Sequence, residues 1–285
     1  MPVPLGEIST LTTPLSLVRI WALVSSCLTF SLVAYANQRQ EQHLDLATFQ
    51  KFCMFSWCFF FILTFLILAI TYIQFHNLLP FSWKNLTVTV AAMAALMSLA
   101  ASLAFPWLIP KEDGVDNSRE VVAAVGSCLT FLAYAAEVLL IRTQHEDQRG
   151  YMASVPGLLK VLQVFGGFVA LLLEGQEETK GWEFGVSTFV YSICLLVSLG
   201  TILVMLGDCA SRCPLPFDRL LAGFSLLGVL LYMVSTVICF TRMLGLSSQP
   251  QSHVFIITET VIACITLLAY TVDLAFSVKL LCDRS

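Results

Sequence analysis

Eight long apolar blocks constrain this 285-residue sequence more than any other feature. Each block approaches or reaches the roughly twenty residues that an α-helix needs to cross the hydrocarbon core of a bilayer. The polar stretches between them are short, and none is long enough to fold as a separate domain. The blocks therefore predict an all-α, polytopic transmembrane protein. Its predicted spans are residues 15–36, 52–73, 86–108, 121–141, 155–173, 184–206, 220–240 and 254–278.

The composition favours a membrane protein and excludes a nucleic-acid-binding protein. Hydrophobic residues make up 58% of the chain and charged residues 12%, and this is about half the charged fraction of a typical soluble domain. The net charge is −4 and the basic residues are spread among the loops, so the sequence has no dense Lys/Arg surface. Residues 1–13 contain no Lys or Arg, so we expect the first block to stay as a span rather than to be cleaved as a signal peptide.

The distribution of Lys and Arg gives the expected orientation. An even number of spans places both termini on one side of the membrane. With that side cytoplasmic, the inner segments hold seven Lys and Arg residues and the outer loops hold six. Two further basic residues, Arg19 and Lys160, lie at the cytoplasmic ends of spans. Because positive residues favour the cytoplasmic side, we expect both termini in the cytoplasm.

The chain contains an internal duplication. The sequence of residues 128–137 returns in modified form at residues 264–273, 136 residues later, with the shared pattern Leu-Ala-Tyr-x-x-acid. The same offset aligns two Leu-Pro-Phe sequences that precede the third and seventh spans. The repeated motif residues are Tyr134 with Tyr270 and Pro80 with Pro216. A duplicated chain is expected to fold as two similar units.

The duplication also predicts the domain organisation. Four spans in each half make the halves parallel repeats, unlike the inverted repeats that are common in secondary transporters. We therefore expect two four-helix bundles, at residues 15–146 and 147–281. A cytoplasmic N-terminal tail at residues 1–14 and a cytoplasmic end at residues 282–285 complete the chain.

Four charged residues within spans suggest two ion pairs. Arg19 in the first span and Glu137 in the fourth lie at similar depth in the expected topology. Lys160 and Asp273 repeat this arrangement in the second half. Charges inside a membrane are costly, so each pair could be a gate or proton relay along a transport path, or it could fix the packing of the first and last helices of its bundle. A further acidic residue, Glu259, is expected to face loop water.

Three cysteines and one phenylalanine-rich stretch are candidate lipid-related features. Cys209, Cys213 and Cys282 lie beside charged residues just outside spans, where reversible palmitoylation takes place in other membrane proteins. The start of the second span is rich in phenylalanine, at Phe52, Phe55, Phe59, Phe60, Phe61 and Phe65. That stretch is a candidate sterol-facing or lipid-facing surface, and ordinary helix packing is the alternative.

No catalytic or cofactor site is recognisable in the sequence. The four histidines are single and lie in different loops, which argues against a haem or di-iron centre. Cys209 and Cys213 have the spacing of metal ligands but lack a matching second pair. The sequence has neither a Gly-x-Ser-x-Gly motif nor a phosphate-binding glycine loop. We therefore predict a non-enzymatic protein with no cofactor and no metal site.

Three sequence motifs carry a resemblance to a known family. They are Gly-Tyr-Met-Ala-Ser-Val-Pro-Gly-Leu-Leu-Lys-Val-Leu at residues 150–162, Leu-Pro-Phe-Ser-Trp-Lys-Asn at residues 79–85, and the repeated Leu-Ala-Tyr-x-x-acid pattern. Together they resemble the myeloid-associated differentiation marker family, whose members are built from two MARVEL domains of four spans each. The resemblance extends through nearly the whole chain.

The resemblance implies a function in membrane organisation. A member of this family is expected in cholesterol-rich plasma or vesicle membrane, where it acts in lateral membrane organisation, vesicle traffic or cell contacts. The implied partners are membrane lipid, including cholesterol, and other membrane proteins that pack against helix faces. A homo-oligomer is a further option, and nucleic acid is not an expected partner. The resemblance brings no catalytic residues with it.

Two functional hypotheses remain open at this point. The first is a scaffold whose bundles pack laterally with lipid and with other membrane proteins. The second is a small-solute or ion transporter or channel, in which the intramembrane charge pairs line an aqueous path.

Overall fold

A computed structural model describes residues 12–37, 44–75, 80–108, 118–144, 150–175, 181–207, 217–245 and 250–284. Within these residues the chain forms eight α-helices, one short 3₁₀ turn at Tyr151–Ala153 and no β-strand. The helices are α1 (Pro14–Asn37), α2 (Leu44–Tyr72), α3 (Trp83–Leu108), α4 (Ser118–Arg142), α5 (Val155–Glu174), α6 (Trp182–Leu206), α7 (Phe217–Gly245) and α8 (Pro250–Arg284).

Each of the eight helices contains a segment that is long and apolar enough to cross a membrane. These segments overlap all eight predicted spans, so the prediction of an all-α protein with eight spans is confirmed. The helix is the form that suits such segments because it pairs the backbone N–H and C=O groups within the segment. The hydrocarbon core offers those groups no other partner.

Three helices extend furthest beyond the apolar blocks that predicted them. α2 begins at Leu44 rather than at residue 52, and α7 continues to Gly245 rather than ending at residue 240. α8 begins at Pro250, in the first helical turn where a missing N–H costs no hydrogen bond, and it ends at Arg284. Hydropathy detects only the part of a helix that fits the hydrocarbon core, whereas backbone hydrogen bonding continues through polar residues with adequate helix propensity.

The chain divides into two compact units, Met1–Ala153 and Ser154–Ser285, and each contains four of the helices. The predicted boundary lies between residues 146 and 147. In the structure the 3₁₀ turn packs against α3 and α4 of the first unit. There the Asn85 side-chain oxygen accepts a 3.1 Å hydrogen bond from the Met152 backbone N–H. This contact holds the end of the first unit close to the start of α3.

In the first unit the four helices form a closed ring. α1 packs against α2 and α4, and α3 packs against the same two helices. Small side chains allow close helix contact. At Gly126 of α4, an added Cβ would overlap the side chain of Thr29 on α1. One buried apolar cluster within the ring consists of Val33, Cys53, Trp57, Ala101 and Ala123.

The second unit has the same neighbour order. α5 packs against α6 and α8, and α7 packs against the same two helices. Three tyrosine rings follow one another through its core, and we call this row the tyrosine stack. The ring centroids are 5.7 Å apart for Tyr191 and Tyr232 and 5.3 Å apart for Tyr232 and Tyr270, and the rings of each pair are tilted by 41° and 32°. Gly228 of α7 lies directly against the ring of Tyr270, where an added Cβ would overlap the ring. The unit is therefore packed around aromatic rings that polar groups border.

The outer faces of the helices are apolar. On α1 and on α8, exposed apolar residues recur every three or four positions, which is the spacing of one helix face. Such faces would form large apolar patches in water, whereas lipid suits them. The residues of these two faces are Leu17, Trp21, Val24, Leu28 and Leu32 on α1, and Ile257, Val261, Ile265, Leu268 and Val272 on α8.

Candidate functional site: buried charged residues in each unit

The first unit contains a buried ion pair that joins its first and last helices. Arg19 of α1 donates from Nε to Oε1 of Glu137 on α4 over 2.6 Å. Both residues are buried, at 3% and 2% exposure. Arg19 lies near the start of α1 and Glu137 near the end of α4, so the contact joins the two helices at one end of the four-helix bundle. The structure thus brings together the two residues that the sequence suggested as a pair.

The second unit contains the corresponding pair, with more hydrogen bonds around it. Lys160 Nζ of α5 lies 2.7 Å from Oδ2 of Asp273 on α8. The Ser225 hydroxyl of α7 donates to the same carboxylate oxygen over 2.5 Å and accepts from Lys160 Nζ over 3.2 Å. The Gln163 amide donates to Asp273 Oδ2 over 3.1 Å. The four groups form one buried network that links α5, α7 and α8.

The repeated tyrosines form a second polar layer in each unit. The Tyr134 hydroxyl of α4 and the Thr64 hydroxyl of α2 are hydrogen-bonded over 2.8 Å. In the second unit the Tyr270 hydroxyl of α8 and the Ser198 hydroxyl of α6 are hydrogen-bonded over 2.7 Å. The motif tyrosine therefore ties the last helix of each unit to its second helix. Pro80 lies in the bend before α3, and Pro216 lies outside the described residues.

The prediction that Glu259 faces loop water is wrong. Glu259 is 1% exposed and lies inside the second unit with two residues that the sequence placed in loops, Glu174 and Arg242. The side chains of Glu174 and Arg242 are 1% and 9% exposed. Both had been placed in loops because the apolar blocks end before them, whereas helix α5 includes Glu174 and helix α7 continues past Arg242.

The three charged residues form a cluster, which we call the Glu174–Arg242–Glu259 cluster. Arg242 Nη1 lies 3.8 Å from Glu174 Oε1 and 3.6 Å from Glu259 Oε2. Glu259 Oε1 accepts hydrogen bonds from the Tyr191 hydroxyl over 3.1 Å and from the Cys239 thiol over 3.4 Å. The cluster lies where α5 and α7 end and where α6 and α8 begin, so it is at the opposite end of the unit from the Lys160–Asp273 pair.

One signal in the sequence could have located this cluster. Glu259 and Asp273 are two heptads apart on α8, and that spacing places both side chains on the same helix face. Because Asp273 was expected to face inward, Glu259 should have been expected to face inward as well. The position of Arg242 had no such signal, because it depends on how far α7 extends.

The structure describes one of the three cysteines that are candidates for palmitoylation. Cys282 is exposed near the end of α8, whereas Cys209 and Cys213 lie outside the described residues. Among the residues that the structure describes, no group of three or more His, Cys, Asp or Glu side chains could hold a metal ion.

The fold and these charges define a class: a multi-pass helical membrane protein with four helices in each of two units. The MARVEL family model, described as a membrane-associating domain, matches residues 10–140. The myeloid-associated differentiation marker homolog of Xenopus laevis is 34% identical over 97% of this chain and 95% of its own length. The myeloid-associated differentiation marker of Homo sapiens is 33% identical over 98% of this chain and 92% of its own length.

A third relative is the myeloid-associated differentiation marker-like protein 2 of Rattus norvegicus, 32% identical over 96% of this chain and 94% of its own length. No solved structure matches this chain. The chain belongs to the myeloid-associated differentiation marker family, and the resemblance in its motifs is confirmed.

Proposed function

We propose that this protein is a non-enzymatic scaffold that organises membrane laterally, with lipid and other membrane proteins contacting its outer helix faces. The observation that carries the proposal is the separation of polar from apolar side chains within each unit. The charged residues of the ion pairs lie inside the units, whereas the outer faces of α1 and α8 are apolar stripes. Family membership supports a role in cholesterol-rich membrane, vesicle traffic or cell contacts. We further propose plasma or vesicle membrane as its location and cytoplasmic termini.

A phenylalanine pair on α2 is our candidate for a sterol-facing surface. Phe55 and Phe59 are 62% and 44% exposed, and their rings stack with centroids 5.5 Å apart. Phe60, the next residue, is buried, so the phenylalanine-rich stretch is divided between the outer face and helix packing. Two stacked rings on a lipid-exposed face provide a stiff apolar surface that suits the flat ring system of a sterol.

Phase partitioning tests this proposal. The full-length protein, labelled with a fluorophore, is reconstituted into giant vesicles that separate into liquid-ordered and liquid-disordered phases. We expect the protein to enrich in the ordered phase and to lose that enrichment when cholesterol is removed. Exclusion from the ordered phase at every cholesterol content would contradict the scaffold proposal in its cholesterol-dependent form.

A pair of variants tests the phenylalanine surface within the same assay. Phe55→Leu with Phe59→Leu keeps the α2 face apolar but removes the stacked rings, so we expect weaker enrichment in the ordered phase. Phe189→Leu is the matched control, because Phe189 is a 63% exposed phenylalanine on α6 of the other unit. Equal effects of the two changes would mean that the stacked pair has no special role.

The row of tyrosines in the second unit bears on the transporter alternative. In the second unit, polar groups border the tyrosine stack from Glu259 and Tyr191 at one end to Tyr270 and Asp273 at the other. The hydroxyl of Tyr232, in the middle of the stack, is buried and has no hydrogen-bond partner among the described residues. A chain of hydrogen bonds along these residues therefore stops at this hydroxyl, and this supports the scaffold over a proton path.

Flux measurement separates the two functions. Proteoliposomes that hold a pH-sensitive dye are subjected to a proton gradient, and a second set is tested for K⁺ and Na⁺ flux. The scaffold proposal expects rates no higher than those of protein-free liposomes. Flux that the wild type supports and that Asp273→Asn abolishes, with folding intact, would favour the transporter.

A further inference from the structure

The charges in the Glu174–Arg242–Glu259 cluster do not balance. The Arg19–Glu137 and Lys160–Asp273 pairs each combine one acid with one base. The cluster instead combines two carboxylates with one guanidinium, and all three side chains are at least nine-tenths buried. With both acids ionised, the cluster would carry an excess negative charge inside a membrane-spanning unit.

Within the cluster, one carboxylate oxygen has no hydrogen-bond partner among the described residues. Glu259 Oε1 accepts hydrogen bonds from Tyr191 and Cys239, which stabilise an ionised carboxylate. On Glu174, Oε2 accepts a 3.2 Å hydrogen bond from Thr188, but Oε1 is buried and has no hydrogen-bond partner among the described residues. Oε1 is the oxygen that faces Arg242 at 3.8 Å, beyond hydrogen-bond distance.

The groups that face the cluster come from all four helices of the unit. They are Glu174 of α5, Thr188 and Tyr191 of α6, Cys239 and Arg242 of α7, and Glu259 of α8. Among the residues that the structure describes, Arg242 is the one basic side chain within salt-bridge distance of either carboxylate. A charge left unbalanced in a low-dielectric site is strongly disfavoured, so the site must gain one positive charge or lose one negative charge.

We propose that the Glu174–Arg242–Glu259 cluster is a proton-binding site, in which the carboxyl group of Glu174 holds one proton at neutral pH while Glu259 stays ionised beside Arg242. The proton balances the charges of the cluster, leaving one carboxylate for one guanidinium. A metal cation fits less well, because the guanidinium already lies between the two carboxylates and would repel it. This proton is separate from the two ion pairs, each of which is already balanced by one acid and one base.

Proton binding in the folded protein makes stability depend on pH. An unfolded chain leaves an ordinary glutamate ionised at neutral pH, whereas the folded cluster retains a proton. Because the folded state then binds more protons than the unfolded state, stability falls as the pH rises through this range. Deprotonation leaves excess negative charge among α5, α7 and α8, and it loosens this end of the second unit.

Infrared spectroscopy tests the proposal on the full-length protein in lipid nanodiscs. A protonated carboxylic acid has a carbonyl stretch that is distinct from the carboxylate bands and shifts in D₂O. We expect this band in the wild type at neutral pH and its loss on raising the pH. Its absence from the wild type at neutral pH would overturn the proposal, and this result needs no variant.

Two Gln variants assign the band. Glu174→Gln removes the protonated group, and Glu259→Gln leaves Glu174 as the single carboxylate of the cluster beside Arg242, so both should abolish the band at neutral pH. Glu183→Gln is the control, because Glu183 is a partly exposed glutamate on α6 of the same unit, outside the cluster, and its replacement should leave the band unchanged. Persistence of the band in both cluster variants would refute the assignment.

Thermal unfolding gives a second readout. Glu174→Gln should keep the melting temperature of the wild type at neutral pH and should remove its fall at alkaline pH. An equal alkaline fall in this variant would contradict the proposal. The unfolding is repeated with choline in place of Na⁺ and K⁺. A melting temperature or infrared band that depends on Na⁺ or K⁺ would identify a metal cation instead of a proton and would overturn the proposal.

Discussion

Replacing Glu137 by Gln should destabilise the first unit strongly. The Arg19 and Glu137 side chains are 4% and 3% exposed, and Nε lies 2.6 Å from Oε1. The substitution nearly preserves the shape of the side chain but leaves the guanidinium charge uncompensated in a buried site. Removing one partner of such a pair costs about 3–5 kcal/mol, because the remaining charge keeps its desolvation penalty.

Double variants distinguish pairing from simple loss of packing. Exchanging the two charges, Arg19→Glu with Glu137→Arg, restores an opposite-charge pair and should recover part of the stability and expression lost in either single variant. Replacing both by apolar residues, Arg19→Met with Glu137→Leu, should cost less than either single change, because no buried charge remains. The coupling between directly contacting residues is expected within about 0.5–3 kcal/mol.

The measurement is thermal or denaturant unfolding of the full-length protein in nanodiscs, together with its expression level. Leu28→Met is the control, since Leu28 is an exposed apolar residue on the same helix and the change keeps that face apolar. A loss below about 1 kcal/mol for Glu137→Gln, or double variants that are no better than the single ones, would refute the pairing argument.

Three further predictions follow from individual positions. Gly228→Ala should destabilise the second unit by about 1–3 kcal/mol in the same unfolding assay, because the new methyl group overlaps the ring of Tyr270. Gly223→Ala on the same helix is the control, because its methyl group meets nothing within 4 Å. That change should be neutral or stabilising by up to about 1 kcal/mol. If Cys282 is acylated, Cys282→Ser should remove a hydroxylamine-sensitive label in an acyl-exchange assay, whereas Cys264→Ser should not. In a cysteine-reduced background, an impermeant thiol reagent applied to intact cells should label a cysteine at Gly181 but not one at Ser285; labelling at Ser285 would contradict cytoplasmic termini.

Much of the fold could be predicted because the membrane limits the choices. Each apolar block must pair its backbone groups internally, so length and hydropathy suffice to predict eight helices. The pairing of Arg19 with Glu137 could be predicted because both residues lie near the predicted cytoplasmic ends of their spans, at a similar depth in the membrane. Lys160 and Asp273 gained support from the internal duplication, which repeats the pattern with different residues.

The cluster at the far end of the second unit could not be predicted in the same way. Hydropathy places the ends of spans where charges begin, so Glu174 and Arg242 were placed outside their helices. In the structure the helices continue, and packing by all four helices buries these side chains. Whether a charge at a span end faces loop water or a neighbouring helix depends on tertiary contacts that a single-sequence hydropathy profile does not contain.

Charged residues of the ion pairs lie inside each unit, and we propose that lipid contacts the outer faces. Spin labels placed one at a time along α8 in nanodiscs test it most directly, by their accessibility to oxygen, which concentrates in lipid, and to a water-soluble nickel complex. Labels at Val261 and Leu268 should be accessible to oxygen, and labels at Ala263 and Thr266 should be shielded from both reagents, because the first two are exposed and the last two buried. Access of the nickel complex to the inner positions would indicate an aqueous path through the second unit and would contradict the scaffold account.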